Sequence, residues 1–90
     1  MILVEWTVGI TFEWGKEPTI EIEALEAKLD IQASYKGKLL YHLGCYDYIV
    51  TYNKLGKKQS LKVIDEFSKL DFNYIELRKM DSVKGEKNGK

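Results

Sequence analysis

One cysteine, one proline and one histidine in 90 residues leave little room for reactive chemistry. Cys45 alone closes no disulfide within the chain, so the fold has to stand on its core. A single histidine and a single cysteine fall short of the three or four side chains that hold zinc, and no metal or other cofactor is expected. Gly15, Gly37, Gly44 and Gly56 stand singly at turns, so no glycine-rich loop cradles a phosphate. Uninterrupted apolar runs cover only a few residues where a membrane helix needs about 20. The opening MILVEWTVGITF carries Glu5 inside its apolar run instead of a basic start, unlike an export signal. The chain reads as a cytoplasmic protein that crosses no membrane.

A chain of 90 residues makes one domain, able to bury roughly 60–65% of the surface its unfolded form exposes. Its 44% hydrophobic and 31% charged residues belong to an ordinary globular protein. The net charge is zero, but the halves differ. Residues 1–53 hold eight acids and four bases, and residues 54–90 hold six acids and ten bases. That asymmetry falls short of the basic stripe that nucleic-acid binding leaves. The acidic run Glu17, Glu21, Glu23, Glu26 and Asp30 reads as the solvated side of a helix.

From Ile2 to Phe12 apolar residues recur at every second position, a strand period. Gly15 and Pro18 break it, and Thr19 can cap a helix through EALEAKL, with Ile22, Leu25 and Leu29 on one stripe. Leu25 to Tyr35 also alternates, so a long strand, and with it a largely β protein, is the rival there. Tyr35 to Lys38 is expected as a turn. Lys38–Leu43 and Tyr46–Asn53 then form a hairpin around Gly44. Asn53–Lys58 breaks the pattern, and Ser60 can cap a second helix with Leu61, Val63, Ile64, Phe67 and Leu70 as its apolar face. A last strand covers Asn73–Met80, within a single domain over 1–80. Residues 81–90, DSVKGEKNGK, read as a flexible basic tail.

The order βαββαβ predicts an α+β, ferredoxin-like fold: a four-stranded antiparallel sheet with two helices on one face. The other face of such a sheet is bare. In the third strand Tyr46, Tyr48, Val50 and Tyr52 oppose Asp47, Ile49, Thr51 and Asn53. In the last, Phe72, Tyr74, Glu76, Arg78 and Met80 oppose Asn73, Ile75, Leu77 and Lys79. Neither side is cleanly polar, which points to a partner over the open face. Tyr48, Tyr52 and Tyr74 are the expected interface residues of a homodimer or higher homo-oligomer.

The stretch GKLLYHLGCYDYIVTYNKLGKKQSLKVIDEFSKLDFNYIELRKM, residues 37–80, has a strand running into Gly44-x-x-Asp47 and then the strand YIVTY. An amphipathic helix and a closing strand with Arg78 follow. This resembles the dimeric α/β-barrel group, in particular the effector domain of Lrp/AsnC-type regulators and the GYD family. The resemblance implies a dimer whose sheets pack together, with a small effector held between subunits near Gly44 and Asp47. No helix-turn-helix precedes the matching stretch, and Cys45 and Tyr46 fill the turn with bulk. A DNA-binding regulator acting alone is therefore disfavoured, and a stand-alone effector module remains compatible with the resemblance.

Histidine is the side-chain type whose unperturbed pKa lies nearest neutrality, and Asp47 across the turn could orient His42 as a general base. The plainer reading is a half-exposed strand histidine. Cys45 would need a base and an oxyanion site to serve as a nucleophile, and reads as a small turn residue. Tyrosines on a four-stranded sheet can stack bases, but the flanking basic residues are few (Lys38, Arg78, Lys79), so nucleic acid is disfavoured. The reading that results is a non-catalytic binding or effector module. It oligomerises through its sheet and holds a small polar ligand or a partner protein with His42, Gly44, Tyr46, Asp47 and Arg78. The alternatives are a small enzyme using His42 and Asp47 in acid–base chemistry, and a factor of phage or mobile-element type that blocks a host protein.

Overall fold

Alternation in the first strand is realised over Val4–Glu13, β1. Its even-numbered residues Val8, Ile10 and Phe12 are fully buried. In the computed structural model, which describes residues 4–81 without the side chains of Tyr41, Met80 and Asp81, the other elements follow in the expected order. They are α1 (Thr19–Leu29), β2 (Tyr35–His42), β3 (Cys45–Leu55), α2 (Lys57–Phe67) and β4 (Tyr74–Asp81). All four strands pair antiparallel in the order β2-β3-β1-β4. Each strand–helix–strand unit therefore skips one strand. With both helices on one face, this is the ferredoxin-like α+β fold.

The core lies between that face and the helices. Val8, Ile10 and Phe12 of β1 meet Val50 and Tyr52 of β3, Ile22 of α1 and Val63 and Phe67 of α2. The Tyr52 and Phe67 rings lie 5.5 Å apart and tilted by 53°, the offset arrangement that aromatic quadrupoles favour.

Over residues 19–29 the helix wins over the rival strand. Ile22 is buried and Leu25 and Leu29 pack against the core, the stripe a helix requires. Asp30 stops it in the left-handed region (φ 54°), and the Ile31 amide donates back to the Glu26 carbonyl at 3.0 Å. Pro18, not Thr19, occupies the N-cap, and no side chain caps that end. The second helix begins earlier than expected, after Gly56. Ser60 lies inside it, buried, with its hydroxyl donating to the Lys57 carbonyl at 2.7 Å, so it fills a core position instead of capping. Tyr35–Lys38 is likewise strand and not turn, because Tyr35, Lys36, Gly37 and Lys38 pair with Thr51, Val50, Ile49 and Tyr48. At the end of β4, Asp81 is still strand; the rest of the expected tail lies outside the described residues. No helix among the described residues is long and apolar enough to cross a membrane.

One irregularity sets the far end of the core. Trp6 pairs with Leu55 and Val8 with Tyr52, so Asn53 and Lys54 oppose Thr7 alone. This β-bulge shifts the phase of β3 by one residue and returns Leu55 to the face of Tyr52, where it is buried. Lys54 carries the extra residue in the left-handed region at φ 59°. That conformation costs a non-glycine residue about 1–2 kcal/mol. Lys54→Gly, at an exposed position, is expected to raise stability by about 0.5–1 kcal/mol in urea unfolding, once the greater freedom of glycine in the unfolded chain is offset. A loss of stability would place the bulge strain elsewhere.

Candidate functional site

Leu43 and Gly44 turn β2 into β3, with His42 paired to Cys45 and Gly44 supplying the positive φ of 75° that the turn requires. Past the turn, alternation sends successive residues to opposite faces. Tyr46 goes to the helix side with Trp14, and Asp47 to the open side. There the Asp47 carboxylate accepts a hydrogen bond from Asn73 Nδ2 at 3.2 Å. His42, Gly44 and Cys45 are exposed. Arg78 sits far from all of them. It pairs with Thr7 while Asp47 pairs with Glu13, six residues along β1, which separates them by roughly 20 Å. Its guanidinium binds Glu76 at 2.9 Å, and that carboxylate raises its pKa. The five expected ligand contacts therefore do not form one site within a single chain.

The interface tyrosines also divide. Tyr52 is fully buried under the helices and Tyr48 is half-buried against the same core, so neither belongs to the open face. Alternation showed that the two share a side but not which side the helices cover. Tyr74, 60% exposed, does lie on the open face, paired with Thr11. Tyr35, 51% exposed, joins it from the other edge, paired with Thr51, with Leu39 beside it. Between these edges Thr7, Gly9, Ile49, Thr51, Glu76 and Arg78 line a shallow depression of about 170 Å³. Gly9 contributes no side chain at its floor. None of these residues but Arg78 stands out in the sequence. The signal was the small-residue odd series Thr7, Gly9, Thr11 facing away from the apolar even series.

On the helix side of the hairpin end, Trp14, Tyr46, Tyr48 and Lys38 gather. The two tyrosine rings each lie 6.2 Å from the Trp14 ring. Lys38 Nζ stands over Trp14 and Tyr46. Burial raises the Tyr48 pKa; Lys36 opposes this, and the carboxylates of Glu17, Glu26 and Glu23 add to it. Deeper along the same side, Glu26 of α1 accepts from the Tyr52 hydroxyl at 2.8 Å and from Lys36 at 2.9 Å. Desolvation first, then that hydrogen bond and charge, push the Tyr52 pKa far above its ordinary 10.0. Lys28 of α1 reaches Glu66 of α2 at 3.1 Å and with Lys69 lowers the pKa of Glu66, clipping the two helices together. No protein-family model matches the chain, and no curated protein matches it.

Proposed function

We propose that this protein is a non-catalytic binding module that pairs with a second copy of itself through the open face of its sheet. The observation that carries the reading is the composition of that face. Tyr35, Leu39, Ile49 and Tyr74 surround a strip of Thr7, Gly9 and Thr51, and no element among the described residues covers them. Aromatic ridges flanking a low floor suit a self-complementary contact, because tyrosine offers a large rigid apolar body with a polar tip. Arg78 on this face is already paired with Glu76 at 2.9 Å, so the contact rests on the apolar and aromatic area of the ridges and not on charge. The ligand half of the reading stays at the hairpin end, where His42, Gly44 and Tyr46 are exposed to solvent.

Light scattering during size exclusion at tens of micromolar tests the pairing. The expected mass is twice the 10.5 kDa of one chain, and Tyr74→Glu is expected to return it to that of the monomer, since the change places a charge on a contact that excludes water. A wild-type monomer at that concentration would overturn the reading.

A further inference from the structure

The ring cluster at the hairpin end has the geometry of a cation site. Trp14 and Tyr46 are tilted by 49°, and Trp14 and Tyr48 by 42°, so the rings form an open V instead of a stack. Lys38 Nζ lies within it, 4.6 Å from the Tyr46 centroid and 5.3 Å from that of Trp14. Both distances fall inside the range over which a ring quadrupole attracts a cation. Trp14 is 42% exposed and Tyr46 40%, so the V opens to solvent. Around the Tyr48 hydroxyl the carboxylates of Glu17, which precedes α1, and of Glu26 and Glu23 within it act against the charge of Lys36.

We propose that this V of Trp14, Tyr46 and Tyr48 recognises methylated or quaternary ammonium groups, and that Lys38 is its built-in competitor. A primary ammonium is a compact, strongly hydrated charge on a flexible stem. It gives up water to enter between the rings and leaves again easily. A methylated ammonium is less hydrated, and its methyl groups pack on the ring faces while its charge meets their negative potential. The proposal deepens the ligand half of the reading above, in which Tyr46 already stands. It does not need the dimer, because these rings lie on the helix side of the sheet and not on its open face.

The probe is tetramethylammonium chloride, titrated against sodium chloride at equal ionic strength and followed by the indole N–H resonances in heteronuclear NMR. The Trp14 signal is expected to shift saturably while that of Trp6, packed against the core, stays in place. Lys38→Ala is expected to tighten binding roughly three- to tenfold by removing the internal competitor, and Trp14→Ala in that background to abolish saturation. Both replaced side chains are exposed, and Tyr46→Ala offers a second variant with the same expected loss. The absence of a saturable shift in Lys38→Ala, or a response that survives Trp14→Ala, would overturn the proposal. Light scattering on Lys38→Ala separates the two readings, since the site can fail with the dimer intact and the dimer can fail with the site still binding.

Discussion

Truncating Phe67 to alanine is expected to destabilise the protein by about 3–5 kcal/mol, the range for a large aromatic removed from a packed core. Phe67 is fully buried near the end of α2 and stacks at a tilt on Tyr52 of β3. It therefore joins the second helix to a central strand, and the hole left beside Tyr52 cannot be filled from solvent. Domains of this size are typically stable by only about 5–13 kcal/mol in total, so the variant should lose roughly a quarter or more of its stability. Urea unfolding followed by circular dichroism reads this as a fall in the midpoint at unchanged slope. A loss below 1 kcal/mol would mean that Val63 and Leu70 close over the gap and that the core is less tightly packed than its burial indicates.

What the sequence shows of this fold is its order of elements. Period-two runs for β1 and β3, the stripe of Ile22, Leu25 and Leu29, and the stripe of Val63 and Phe67 each follow from which residues must share a face. What it conceals is how the faces are placed. The even-numbered tyrosines of β3 look like an oligomer surface because a strand read alone has two equivalent sides. Only the tertiary partners, Glu26 for the Tyr52 hydroxyl and Phe67 for its ring, make that side the interior. The bulge at Lys54 is concealed for a related reason, since it is a property of the pairing between β1 and β3 and not of either strand. The start of β2 is mistaken for a turn because Lys36 and Gly37 are poor strand residues on their own. Pairing with Ile49 and Val50 overrides that preference.

The candidate sites divide along the same line. The hairpin around Gly44 is legible, because a glycine between two β-type runs has few other uses. The separation of Arg78 from Asp47 is not, since it depends on the register of both strands against β1. The association of Trp14 with Lys38 and Tyr46 is hidden for a further reason. Trp14 lies beyond the end of β1, where alternation no longer predicts a direction. Only the antiparallel register, which brings Phe12 opposite Tyr48 and Lys38 opposite Tyr48 from the other side, places it near these residues.

Replacing Glu26 with alanine is expected to cost about 1–3 kcal/mol, because it leaves the buried Tyr52 hydroxyl without its acceptor and Lys36 without its partner. Tyr52→Phe should cost less, about 0.5–1.5 kcal/mol, since it removes the hydroxyl and leaves Glu26 paired with Lys36. In the Glu26→Ala background the same Tyr52→Phe change should be close to neutral or stabilising, as no unsatisfied group then remains; equal costs in the two backgrounds would show that the bond carries no coupling. The pH profile follows from the direction of the shift. The Tyr52 pKa is raised above 10.0 on folding, so the unfolded chain ionises near that value while the folded chain keeps its proton. The associated stability is fully present below pH 10 and is lost as pH rises from there toward the folded value, at up to roughly 1.4 kcal/mol per pH unit. Tyr52→Phe should flatten that alkaline decline, with a remainder from Tyr48, whose pKa is raised in the same direction. Alkaline urea titrations of equal slope in the wild type and Tyr52→Phe would mean that the Tyr52 proton is not held by the folded core.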